Sequence, residues 1–237
     1  MRKYLISFAT PQFKDKQNSL NDSANDKGFT DIISYSQLDL GDEFVKDFGN
    51  ILDYPRGYGC WSWKSFIIKK TLDLCDDGDI ILYLDSSNLI LENLDFLFEK
   101  CFLDEIVLFE NRDGSPDNKP WTNKPWTKRD CYTLMNCDDS DYWNGKQVNA
   151  TYQLYKKSST ALKFVEEFYN ASRNINIISD LDNITLENFP EFMDHRHDQS
   201  ILSLLAIKYN ITLLPDPSNS GNLDNNRKFP QLFNHCR

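Results

Sequence analysis

The segment GDIILYLDSSNLI, residues 78–90, ends a run of five apolar or aromatic residues, Ile80 to Leu84, on an acid. Such a run without helical period reads as a strand buried on both faces. The end of a buried strand is a costly place for a charge. Asp85 therefore either opens a loop or caps the next helix, or it faces a ligand. A second concentration of reactive groups lies at 194–199, where Asp194, His195, Arg196, His197, Asp198 and Gln199 follow one another. Ile201, Leu204, Leu205 and Tyr209 then mark a helical face, and Asp198 stands where an N-cap would, its carboxylate near the first free N–H groups. Histidines, an arginine and acids gathered this closely are also suited to contacting charge or moving protons. His235 is either a frayed terminal side chain or a group that closes over a metal.

These groups need a scaffold, and the flanking patterns supply one. KYLISFAT (3–10) and FTDIISYS (29–36) read as strands, with Phe13, Gln17, Leu20 and Ala24 at helical spacing between them. DEFVKDFGNIL (42–52) reads as a helix, and Trp63, Phe66, Ile67 and Leu74 mark one face of another that ends before Asp77 and Gly78. After the strand at 80–84, LENLDFLFEKCF (91–102) is a helix candidate, EIVLFEN (105–111) a strand and SSTALKFVEEFYNAS (158–172) a helix. This alternation implies a largely parallel sheet with helices on both faces. Ligands of such sheets bind beyond the carboxyl ends of the strands, which is where Asp85 lies.

Composition narrows the chemistry. At 237 residues the chain is long enough for one sizeable core, and no linker divides it. A net charge of -10 argues against a nucleic-acid binder with a basic face. It also means that a phosphorylated substrate would benefit from a divalent cation. The six cysteines form no CxxC pair, so free thiols are expected and a zinc site is not. MRKYLISFATPQF is no signal peptide and nothing approaches a membrane span, so a cytoplasmic protein is expected. Residues 112–149 hold three tryptophans and two copies of KPWT, at 119–122 and 124–127, with little periodicity. Loops of this length usually have a purpose. The indoles either pin the loop to the core or stack on the apolar faces of sugars.

Taken together, LYLDSS, the preceding RGYGCWSWKSFIIKKTL, the stretch WTKRDCYTLMNCDDSDYW with Gln147 and Ala150, and HRHDQSILSLL resemble nucleotide-sugar glycosyltransferases of the GT-A fold. The small bacterial and viral members that make capsular or glycoprotein glycans are the most similar. The resemblance covers about residues 54–216, and HRHDQS is its most specific piece. It implies one α/β, Rossmann-like GT-A domain over 1–237, with a nucleotide-sugar-binding half at 1–111 and an acceptor-side half at 112–237. The implied reaction moves a hexose or pentose from a nucleoside diphosphate sugar, with uridine as base, to a hydroxyl of a glycan or glycoconjugate.

The resemblance also distributes roles. Asp85 matches the first acid of the DxD motif, whereas Ser87 occupies the place of the second. The implied Mn²⁺ or Mg²⁺ is then held by Asp85 with water or with a histidine, His235 being the metal candidate. Donor contacts fall to Thr10, beside the nucleobase with Ala9, and to Arg56, Lys64, Ser86, Ser87 and His197. Asp198 is the catalytic candidate, as the base that takes the acceptor's proton or as the acid that positions the acceptor. Trp126 and Gln199 are acceptor-side candidates. Two alternatives stay open. A haloacid-dehalogenase-type phosphatase also places an Asp after an apolar strand, but DSSNL lacks its second acid. A non-catalytic carbohydrate- or nucleotide-binding protein would need neither acid.

Overall fold

In the computed structural model, which describes residues 1–112, 119–221 and 230–236, the chain alternates between strands and helices. Its first part runs β1 (Lys3–Ala9), α1 (Lys14–Ser23), β2 (Asp31–Ser36), α2 (Gly41–Phe48), α3 (Gly57–Cys60), α4 (Trp63–Leu74), β3 (Ile80–Leu84), β4 (Asn88–Ile90), α5 (Asp95–Asp104) and β5 (Ile106–Glu110). Then follow α6 (Arg129–Leu134), α7 (Ser140–Trp143), β6 (Val148–Lys156), α8 (Ser159–Ser172), α9 (Ile175–Ile178), α10 (Asp198–Lys208) and β7 (Phe233–His235). Residues 113–118 of the tryptophan-rich loop lie outside the described residues.

The main sheet has the order β2-β1-β3-β6-β5. Strand β1 is parallel to β2 and β3, while β6 is antiparallel to both β3 and β5. Four strands thus share one direction, and the expected mostly parallel sheet is present. No element is expected from the sequence over 150–156, yet β6 runs through it, alternating in its first half and buried on both sides in its second.

Strand β3 shows why its sequence is an unbroken apolar run. Ile81 and Tyr83 enter a core with Phe44, Phe66, Phe164 and Leu204, whereas Ile80, Leu82 and Leu84 enter the opposite core with Leu20, Leu97 and Phe98. Successive strand side chains alternate between faces, so Asp85 shares the face of Tyr83, toward α4 and α10.

Several boundaries differ from expectation for local reasons. Helix α2 stops at Phe48 and passes into a tighter turn over Gly49–Ile51. Helix α5 starts at Asp95 rather than Leu91, because Asn88–Ile90 pairs instead with β7. Helix α8 begins as expected, with the Ser158 hydroxyl accepting from the Ala161 N–H at 3.2 Å. All six cysteines are unpaired. Burial pushes the Cys75 thiol up to about 11, which keeps it protonated. Among the described residues no helix is long and apolar enough to cross a membrane.

Candidate active site

Two acids distant in sequence meet around one buried cation. The Lys64 ammonium, on the first turn of α4, lies 2.8 Å from Asp198 Oδ2 and 3.4 Å from Asp85 Oδ1. It also donates to the Ala150 carbonyl at 3.2 Å. Its side chain is only 3% exposed. Burial alone would strip the ammonium of its proton, but Asp198 and Asp85 outweigh that and raise its pKa. The Tyr83 hydroxyl donates to Asp85 Oδ1. Burial, reinforced by the Asp85 charge, raises the phenol well above its ordinary value and so preserves the donor.

Asp198 is the first residue of α10, and the cap position belongs to His197, with no capping bond from a side chain. The expected N-cap is thus corrected: the Asp198 carboxylate turns to Lys64 rather than to the helix N–H groups. Burial raises the pKa of its carboxyl, and Lys64 partly offsets that. The result is a carboxylate nearer proton exchange than a surface acid.

The histidines divide in role. His195 is wholly enclosed, accepting from Lys128 N–H on Nδ1 at 3.3 Å, with Nε2 2.9 Å from the Ile177 carbonyl. Both ring nitrogens are used, and burial lowers its pKa well below the usual value. It is a packing residue of the segment. His197 places Nδ1 2.7 Å from the Ile178 carbonyl and Nε2 3.5 Å from Asp180 Oδ1, with its ring 5.3 Å from that of Trp61. Burial lowers its pKa too, and its backbone sits at φ 50°, ψ −120°, a strained conformation for histidine. Arg56 donates bidentately to Asp194, at 2.8 and 3.2 Å, and lies 3.3 Å from Asp180.

The approach to α4 holds a second concentration of strain. Gly57, Tyr58, Gly59, Cys60 and Trp61 all have positive φ, so α3 is a left-handed turn. Left-handed backbone costs a residue other than glycine about 1–2 kcal/mol. The turn is held by Cys60 N–H to the Arg56 carbonyl at 2.8 Å, Trp61 N–H to the Gly57 carbonyl at 3.2 Å, and Trp63 Nε1–H to the same carbonyl at 3.0 Å. A Cβ on Gly57 would meet the Trp61 ring at 2.3 Å. Gly57→Ala is therefore expected to displace that ring and to cost about 1–3 kcal/mol, a fall of roughly 2–10 °C in Tm. A midpoint within a degree of wild type would refute this.

Two cavities of about 470 Å³ each flank the triad. The first lies at the end of β1 and includes Thr10, Tyr58, Trp63, Ser86 and Ser87. The buried Thr10 hydroxyl has no partner among the described residues. The second includes Arg56, Lys64, Trp121, Arg196, Asp198, Gln199 and His235. Asp85 and Trp61 line both. Gln199 donates to Gln147 at 2.6 Å, and Gln147 to Thr127 at 3.2 Å. Trp126, expected to face an acceptor, stacks on Trp121 at 4.1 Å, and Trp121 is the indole that lines the cavity. The pairing of β7 with β4 sets His235 opposite Asn88, its Nδ1 3.5 Å from the Ser87 hydroxyl.

No group of three or more histidine, cysteine, aspartate or glutamate side chains suited to a metal occurs among the described residues. Asp85 and His235 do share the second cavity. Mg²⁺ and Mn²⁺ at phosphate sites need one or two protein donors and take the rest from phosphate and water. The donor set therefore fits a cation shared with a diphosphate better than one held by protein alone.

No family model and no curated protein matches the chain. Solved structures do, among them the crystal structure of mouse Xyloside xylosyltransferase 1 in its apo form. It aligns with a TM-score of 0.51 over 99% of this chain and 97% of that one, at 10% identity. The chain thus has the fold of a GT-A-like glycosyltransferase, a single α/β domain.

Proposed function

We propose that the protein is a glycosyltransferase that moves a sugar from a nucleoside diphosphate donor to a hydroxyl of a glycan or glycoconjugate. The observation that carries this is Lys64, buried between Asp85 at the carboxyl end of β3 and Asp198 at the start of α10, where two cavities meet. The nucleoside, uridine on the earlier resemblance, occupies the first cavity with Thr10 and Tyr58 at its base. Its diphosphate runs past Ser86 and Ser87 to Asp85, with Arg56 and His197 on the far side. Residues 1–111 then serve mainly the donor and 112–237 mainly the acceptor, with His197 and His235 reaching back to the donor side.

Asp198 faces the acceptor hydroxyl. Its carboxylate accepts the hydroxyl proton or fixes the hydroxyl for attack, and Lys64 keeps it ionised. Asp85 and His235 would hold a divalent cation, which when bound offsets charge on the departing nucleoside diphosphate. The hydroxyl of Tyr83 fixes the Asp85 carboxylate for that task.

Two measurements test the proposal. Mn²⁺ should bind weakly by itself and at least about tenfold more tightly with UDP present, because the diphosphate completes its oxygen shell. Calorimetry giving one affinity in both cases would remove the shared-cation assignment. Incubation with UDP-linked pentoses and hexoses plus Mn²⁺ should release UDP, with UDP-xylose the first to try given the name of the mouse protein. Binding of UDP without turnover across the panel would instead make this a nucleotide-binding protein.

A further inference from the structure

The second cavity carries a feature that donor chemistry does not use. Trp121 and Arg196 line that cavity alone, away from the nucleotide side. The Trp121 backbone is clamped in a three-segment ladder. Its N–H donates to the Asn111 carbonyl at 2.9 Å, and its carbonyl accepts from Gln147 N–H at 2.7 Å. Asn111 N–H in turn donates to the Gln147 carbonyl at 2.7 Å. Behind it Trp126 lies nearly parallel, at 12°. Trp126 is itself fixed, its carbonyl accepting from Arg196 N–H at 3.1 Å and from the Ser200 hydroxyl at 2.8 Å. The Arg196 guanidinium stands 5.2 and 5.0 Å from the two ring centroids, against the edges of the stack.

A doubled indole held by backbone hydrogen bonds is a rigid flat surface with one ring toward the cavity. Core packing alone would bury that ring, whereas Trp121 borders open space beside Gln199 and Asp198. Rigid aromatic surface bordered by polar groups matches the apolar C–H face and hydroxyl rim of a pyranose ring. Arg196 shares Asp194 with Arg56, and the cavity beside it is lined by the carboxylates of Asp85 and Asp198, so the place favours a neutral sugar over an acidic one. We propose that Trp121 is the stacking platform for a neutral pyranoside, the terminal residue of the acceptor, whose hydroxyl then lies toward Asp198. The word acceptor rests on the glycosyltransferase proposal; the sugar on Trp121 does not.

Saturation-transfer NMR keeps these two claims apart. Wild-type protein with UDP and Mn²⁺ is presented with methyl glycosides of glucose, galactose, N-acetylglucosamine and xylose at millimolar concentration. At least one should receive saturation. Trp121→Ala should weaken that sugar by roughly tenfold or more, while Trp121→Phe, which restores a flat ring, should retain most of it. UDP affinity should stay within about twofold in both variants, which also shows that they fold. No glycoside bound by wild type, or binding undiminished in Trp121→Ala, would overturn the proposal. Weakened binding of UDP-sugar relative to UDP in Trp121→Ala would assign the platform to the donor's sugar and overturn it equally. Failure of turnover with glycoside binding intact would count against the transferase proposal alone.

Discussion

Asp198→Asn is expected to lower sugar transfer by roughly 10²-fold or more, with UDP affinity nearly unchanged. The substitution keeps the shape of the side chain and removes only its charge. Loss of a helix cap cannot account for such a fall, because the cap position belongs to His197 and Asn caps about as well as Asp in any case. The pH dependence adds a second readout. Burial raises the carboxyl of Asp198, and the ionised form does the work. The wild-type rate should therefore climb with pH along a limb displaced above the ordinary carboxylate range, and the variant should lack that limb. A folded Asp198→Asn protein that transfers at the parental rate would leave the mechanism without its base.

Lys64→Met should have the largest effect on stability. Among the described residues Lys64 is the cation that contacts both acids, and its removal leaves Asp198 buried, and Asp85 partly so, without a counter-charge, a loss of about 3–5 kcal/mol, measurable by urea denaturation. The sign of its pH dependence follows from the same geometry. Lys64 lowers the pKa of Asp198, so without it the folded-state value lies further above the unfolded one. Protonation then favours the folded variant, and its deficit against wild type should shrink as pH falls and widen as pH rises. The acid limb of its residual transfer should move upward as well. Lys64→Arg should not rescue it, because a planar fork does not fit a place shaped for a compact ammonium. A Lys64→Met protein within about 1 kcal/mol of wild type at neutral pH would contradict the assignment.

Much of the site was legible because its parts obey local rules. An apolar run without helical period placed Asp85 at a strand end, and the face of Ile201, Leu204 and Leu205 placed Asp198 at a helix start. What local rules do not carry is which distant segments meet. Lys64 reads as a donor contact, and nothing in CWSWK, residues 60–64, shows that its ammonium would lie between residues 85 and 198. Two identical KPWT copies offer no means of telling the lining indole, Trp121, from the one behind it, Trp126, on which the expectation falls. His195 and His197 look equivalent in HRH and, two apart in an extended segment, their rings do lie buried side by side, 5.2 Å apart; only His197 reaches the cavity, which local rules do not foretell. Strand β6 escaped because its partners, β3 and β5, lie far back in the chain; the apolar spacing of Val148, Ala150, Tyr152 and Leu154 was the available signal.

The left-handed turn at 57–61 also bears on how this protein can change. Three of its residues, Tyr58, Cys60 and Trp61, hold a backbone conformation that glycine adopts without penalty. Glycine at any of the three would relieve on the order of 1 kcal/mol of strain, but it would also delete a side chain packed in or against the core. At Cys60 part of that gain is cancelled by a lost buried side chain. At Tyr58 and Trp61 the gain comes at the expense of the aromatic rings that line the cavities. The same rings thus serve packing and the cavities, and the strain of the turn persists because the surrounding contacts hold it. A library screened for heat resistance should keep the rings and find its stabilising changes elsewhere.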